Sequence, residues 1–386
     1  MGPPVALWSR GGSEVLYSDS WVFGGIVNRE NRTEVPTLNG LTSLRFLAAL
    51  LVFGYHGNVL LGDESLRATR VLFGAGSAGV DFFFLLSGFL LAWVYRPNDK
   101  TLAFYRRRIA RIYPTYLVTL LIGIALVAAS DPSRLARGWA TPFLLQAWLP
   151  DPTNVLAINV PAWSLSAEIF FYALFPFVIR FLLSMGRGFH YSLLALLFVV
   201  VVVLSAPQVE SLVVEATGYH LSYFPPARLP EFIIGMLVGL QIKQHGFPRI
   251  PTWIPALLSL AALVGVGWSD SSWGTAAICL VPFLMLIAAV ARHDALGMTS
   301  LLHHPWLVRL GIWSYGFYLI HVLTLSIVHT GLKFFGAADI ADGWLAWILT
   351  LVLATIASGV LHRFIEAPWE KRLKGGAARR SVIADG

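Results

Sequence analysis

"LRFLAALLVFGYHG", residues 44–57, is an apolar run that carries Arg45 near its start and His56 near its end. The surrounding residues 42–61 continue it to about the length a helix needs to cross a hydrocarbon core of roughly 30 Å. Arginine and histidine are both poorly soluble in hydrocarbon, so they must face something other than lipid. Eleven positions at about 100° each make three turns plus about 20°, which puts both side chains on one helix face, roughly 16 Å apart along the axis. They are expected to line one shared polar track. The bland alternatives are a snorkelling interfacial arginine and a hydrogen-bonded interior histidine.

The rest of the chain has the same character. Of 386 residues, 56% are hydrophobic and only 13% charged, and the mean hydropathy is +0.68, far from the soluble mix of about 25% charged residues. Strand-length alternation is missing, which excludes a β-barrel. The expected fold is an all-α polytopic membrane bundle of about ten transmembrane helices at 42–61, 78–95, 109–129, 163–184, 191–207, 227–243, 252–268, 273–291, 309–331 and 343–365. Residues 138–150, "GWATPFLLQAWLP", are short and rich in Trp and Pro, so they read as an interfacial or re-entrant piece and not an eleventh span, within a segment, 130–162, expected to form part of an outer-face lid.

With the N-terminus inside, 21 Lys and Arg fall on the cytoplasmic side and 6 on the outer side, a bias that places both termini in the cytoplasm and the protein in the cytoplasmic (inner) membrane. The expected domains are an N-terminal tail (1–37), one transmembrane domain (38–369) and a basic cytoplasmic tail (370–386). Residues 1–40 have no apolar core, so no cleavable signal peptide is expected. The net charge of +7 suits anionic lipid and calls for no nucleic acid. A single cysteine, Cys279, rules out an internal disulfide and a thiolate metal site, and no metal is expected.

Other polar groups interrupt the remaining spans. Asp81 and Ser87 sit in "GAGSAGVDFFFLLSGFLLAW", where the expected role of Asp81 is to anchor the helix or pair with a cation such as Arg45. Arg108 and Arg111, in "FYRRRIARIYPTY", form an i, i+3 pair that can clamp phosphates. They are also explicable as a positive-inside anchor. Glu168 lies inside the apolar helix "VPAWSLSAEIFFYALFP" and needs a partner, for which His56 is the expectation. Ser314, Tyr318 and His321 form one stripe, with Tyr315 beside it, that serves either as interhelical glue or as a substrate surface. Glu366 is expected to pair with an arginine, and Pro368 with Trp369 to stop the last helix.

In order, these segments resemble the acyltransferase-3 family of integral-membrane O-acyltransferases. The shared elements are Arg45 and His56 ten residues apart, the Arg108-x-x-Arg111 pair, "FFFLLSGF" (82–89), the W-S-L-x-x-E run Trp163 to Glu168, and the S-Y-x-x-Y-L-x-H run Ser314 to His321. The resemblance spans about Leu38 to Trp369. One departure is "LNGLTSLR" (38–45), with Asn39 where many members carry an acid. Another is the lack of room for the hydrolase-like domain that some members append.

The resemblance implies an acyl-CoA donor, bound from the cytoplasm by Arg45, Arg108 and Arg111. The acceptor is a hydroxyl of a glycan or of a glycosylated small molecule such as a macrolide antibiotic. His56 and Glu168 are the expected catalytic pair, acting by direct transfer or through an acyl-histidine. Asp81, Ser87, Trp163, Tyr315 and His321 are the expected substrate contacts. The competing reading is a proton-coupled transporter or exporter that uses Arg45, His56, Asp81 and Glu168 as a relay.

Overall fold

A computed structural model describes residues 38–61, 71, 73–246, 248–269 and 274–372. The expected tail 1–37 and most of the basic tail, 373–386, lie outside the described residues. Among the described residues the chain is helical, with no strand. Its long helices are α1 (Asn39–Leu61), α2 (Ala78–Val94), α3 (Thr101–Ser130), α4 (Trp163–Ser184), α5 (Arg187–Leu204), α6 (Pro225–His245), α7 (Trp253–Ser269), α8 (Thr275–Ala295), α9 (Pro305–Phe334) and α10 (Trp344–Leu361).

Among the described residues, six helical stretches are long and apolar enough to cross a membrane: Thr101–Ser130, Val160–Ser184, Arg187–Leu204, Thr275–Ala295, Pro305–Phe334 and Trp344–Arg372. Ala78–Val94 and Trp253–Trp268 are apolar but shorter. Large apolar side chains such as Leu121, Leu196, Leu257, Val352 and Ile356 stay exposed on the bundle surface, as a lipid-facing wall requires.

Two close crossings set the architecture. Where α2 meets α6, a Cβ on Gly88 would stand 2.0 Å from the Phe232 carbonyl oxygen, and one on Gly235 would stand 2.1 Å from that of Leu85. Only glycine lets the two backbones come this close, the small-residue device of membrane helix pairs. Where α9 meets α1, a Cβ on Gly311 would stand 2.0 Å from the Thr42 carbonyl oxygen. Phe317 of α9 then packs on Phe46 and Phe53 of α1, with ring centroids 5.4 and 5.8 Å apart. At the start of α1, buried Asp294 accepts from the amides of Gly40 (2.9 Å) and Leu41 (3.1 Å), satisfying two donors that a helix N-terminus leaves open.

The segment after α3 folds as short turns and not as a further long helix. Gly138–Phe143 and Gln146–Trp148 are 3-10 turns, with Trp139 and Phe143 exposed. Asn159 anchors the segment to α9 by donating to the Leu319 carbonyl at 2.9 Å.

The last helix corrects one expectation, because Pro368 does not stop it. A π-helical turn, His362–Glu366, follows α10, and the Ala367 amide donates to the His362 carbonyl five residues back. This wider register carries the chain past a residue that has no N–H to give. The helix runs on to Arg372.

The α2–α6 crossing carries a prediction. Gly235→Leu forces a side chain into backbone and is expected to cost on the order of 1–3 kcal/mol, read as a lower Tm of the detergent-solubilised protein. An unchanged Tm would contradict the described packing.

Candidate active site

A cavity of about 470 Å³ opens inside the bundle between α1, α2, α3, α4, α9 and the turn after α10. Nine of the residues singled out in the sequence line it: Arg45, Ser87, Arg108, Arg111, Glu168, Ser314, Tyr315, Tyr318 and Glu366. Ser164, Tyr172, His362 and Glu370 complete its polar wall. The helical spacing explains the grouping. Arg108 and Arg111 stand one turn apart on α3, and Arg45 reaches the same space from the first turns of α1.

The charges of this wall are unevenly satisfied. Glu168 accepts a short hydrogen bond from the Tyr172 hydroxyl one turn along α4. Glu366 is paired with His362 at 3.2 Å, so its partner is a histidine on the π-turn and not the expected arginine. By contrast, neither Arg45, Arg108 nor Arg111 has an ion pair or hydrogen bond among the described residues. The Arg108 guanidinium lies over the rings of Phe104 and Tyr172, at 5.6 and 5.7 Å, and its Nε is buried without a partner. Paired acids beside open guanidiniums make a wall that accepts an anion.

His56 has a different partner from the one expected. Its Nδ1 lies 3.0 Å from Nε2 of His321, with ring centroids 5.1 Å apart, while Glu168 is engaged with Tyr172. The close α1–α9 crossing is the cause, since it sets His56 directly beside the buried stripe of α9. Tyr318 belongs to both regions. It lines the cavity, and its ring centroid is 6.0 Å from that of His321. Its hydroxyl is held by the Ser164 hydroxyl at 2.8 Å and the Pro161 carbonyl at 3.1 Å. Neither His56 nor His321 lines the cavity itself; Tyr318 is the wall residue that touches His321, and His321 touches His56.

Asp81 and Trp163 also stand outside the cavity. Asp81 pairs with Arg228 and accepts from the Thr275 hydroxyl at 2.6 Å, and Arg228 also meets Glu231 at 3.0 Å. The cation beside Asp81 is therefore Arg228 and not Arg45. Register explains the pairing: Asp81 precedes Gly88 by the same seven residues by which Arg228 precedes Gly235. Two helices that touch at those glycines and run the same way must bring the two charges together. Arg228 and Glu231 border a second cavity of about 230 Å³, with Glu210 and Ser222. Trp163 packs edge-on to Phe84 and Tyr223, at 6.2 and 5.2 Å.

Sequence reasoning passed over Tyr172, Arg228, Glu231 and His362. The first three had a visible signal, a tyrosine four residues after Glu168 and a charged i, i+3 pair inside an apolar helix. Nothing in the sequence marks the π-turn that brings His362 and Glu366 to the cavity. Among the described residues, no group of three or more His, Cys, Asp or Glu side chains is placed to hold a metal ion.

A family model described as an acyltransferase domain matches residues 38–363, and the chain belongs to that family, acyltransferase 3. It is an acyltransferase. It is 35% identical over 379 residues to the acyltransferase MdmB of Streptomyces mycarofaciens, covering 91% of this chain and 95% of that protein. It is 28% identical over 320 residues to the exopolysaccharide production protein ExoZ of Rhizobium meliloti, covering 80% of this chain and 93% of the other. To the O-acetyltransferase OatA of Staphylococcus aureus it is 24% identical over 364 residues, covering 87% of this chain and 57% of that protein. No solved structure matches.

Separation of Asp81 from the arginine cavity is testable. Asp81→Asn leaves Arg228 with one carboxylate instead of two and is expected to lower Tm, by about 1–3 kcal/mol of stability, while the KM for the acyl donor stays unchanged. A rise in donor KM as large as that of an Arg111→Gln variant would put Asp81 in the donor site.

Proposed function

We propose that the protein is an integral-membrane O-acyltransferase that moves an acyl group from acyl-CoA to a hydroxyl of a glycan or a glycosylated small molecule, a macrolide among the candidates. The observation that carries this reading is a set of three arginines, without an ion pair among the described residues, on one cavity whose wall residue Tyr318 adjoins the His321–His56 pair. Arg45, Arg108 and Arg111 hold the phosphates of the donor, and the pantetheine arm extends along the cavity toward Tyr318. The roughly 16 Å between Arg45 and His56 along α1 matches the reach of such an arm.

His56 takes the proton of the acceptor hydroxyl as its oxygen attacks the thioester carbonyl. The new C–O bond forms, the C–S bond breaks, and the coenzyme A thiolate recovers the proton from the imidazolium. Glu168 and Tyr172 shape the donor channel in this scheme, and Ser87 and Tyr315 contact the bound chain. Ten spans, both termini in the cytoplasm and residence in the cytoplasmic membrane complete the picture. The bias of 21 basic residues inside against 6 outside supports this orientation and sets the arginines toward cytoplasmic acyl-CoA. The acceptor arrives at the His56 end.

Purified protein in detergent, given acetyl-CoA and a glycosylated acceptor, is expected to release free coenzyme A thiol. His56→Ala is expected to lower kcat by about 10²–10⁴-fold. Arg111→Gln is expected to raise donor KM with a much smaller effect on kcat. Wild-type turnover by the folded His56→Ala protein would overturn the assignment of the base.

A further inference from the structure

The protons of the His56–His321 pair have only one arrangement when both rings are neutral. His321 Nδ1 lies 2.8 Å from the Tyr318 carbonyl oxygen and 3.3 Å from that of Phe317. A carbonyl only accepts, so the hydrogen of His321 is on Nδ1, and its Nε2 carries the lone pair. That Nε2 is the atom 3.0 Å from His56 Nδ1, so His56 must donate from Nδ1. The lone pair of His56 is therefore on Nε2, turned away from His321.

We propose that His321 is the positioning residue that fixes the tautomer and ring orientation of His56, with the α9 backbone at residues 317 and 318 as its anchor. The inference rests on the acyltransferase reading in which His56 is the base. It gives to a neutral imidazole the part that a carboxylate plays in the familiar base–orienter pair.

The surroundings fit the role. His321 is fully buried, with Phe317 stacked at 6.0 Å and 14° and Phe53 edge-on at 6.2 Å, so its ring cannot rotate toward water. Tyr55 meets the His56 ring in a T-shaped contact at 5.5 Å. An orienter locked by packing and by a second hydrogen bond is what keeps a reacting ring in one pose. When His56 Nε2 takes the acceptor proton, the imidazolium charge meets the His321 lone pair and, behind it, two carbonyl dipoles. No net negative charge has to be kept in the apolar centre of the bundle to do this.

The test separates orientation from folding and from donor binding. His321→Leu keeps the bulk and removes the acceptor, and is expected to lower kcat about 10–100-fold while donor KM stays within about twofold. His321→Gln places a carboxamide oxygen near the position of Nε2 and is expected to recover much of that loss. The ¹⁵N shifts of labelled histidines in the wild-type protein, assigned with His56→Gln and His321→Gln, are expected to show both rings protonated on Nδ1. Protonation of His56 on Nε2, or wild-type kcat in His321→Leu, would overturn the inference. If His56→Ala is inactive and His321→Leu is fully active, only the role of His321 fails. If His56→Ala retains full activity, the underlying reading fails instead.

Discussion

The backbone contact between α1 and α9, where Gly311 lies against the Thr42 carbonyl, is the constraint on which the rest of the site depends. It brings the polar face of α1 onto the buried stripe of α9. Arg45 then shares a cavity with Ser314, Tyr315 and Tyr318, and His56, three turns further along, meets His321. A bulkier residue at 311 would push the helices apart and separate both groups at once. Asp294 of α8 holds the amides of Gly40 and Leu41 at the start of α1, which fixes how far α1 slides along α8.

Electrostatics then divides the bundle into two regions with different tasks. Around Arg228, opposite charges pair: Asp81 and Glu231 both meet its guanidinium, and the Thr275 hydroxyl donates to Asp81. Such a network is costly to break and adds little net stability, so its main effect is to fix the register of α2 against α6. Around Arg45, Arg108 and Arg111 the acids are occupied by Tyr172 and His362, and the guanidiniums line the cavity without an ion pair among the described residues. Open cations in a low-dielectric wall bind an anion strongly because little else competes for them. The first region holds the helices, and the second is the proposed donor site.

Much of this was legible in the sequence because helical spacing fixes which residues share a face. Arg45 with His56, and Arg108 with Arg111, follow from that arithmetic, and the cavity gathers Ser87, Glu168 and Tyr315 beside the arginines. Spacing on one helix says nothing about which helix lies opposite. Asp81 does pair with a cation, but which one, like the partners of His56 and Glu366, depends on a contact or turn that no single segment encodes. Glu168 found Tyr172 on its own helix, a nearer partner than any residue of α1. Pro368 failed as a stop signal because the π-turn shifts the hydrogen-bond register before the proline is reached.

The central claim is that one path leads from the arginine cavity past Tyr318 to His56. An experimental structure of the full chain in detergent with a non-transferable thioether analogue of acetyl-CoA tests it most directly. The expected result is phosphate density against Arg45, Arg108 and Arg111, with the acyl end beyond Tyr318 and within hydrogen-bond reach of His56 Nε2. An analogue seated in the cavity beside Arg228 and Glu231, or one whose acyl end points away from His56, would contradict it.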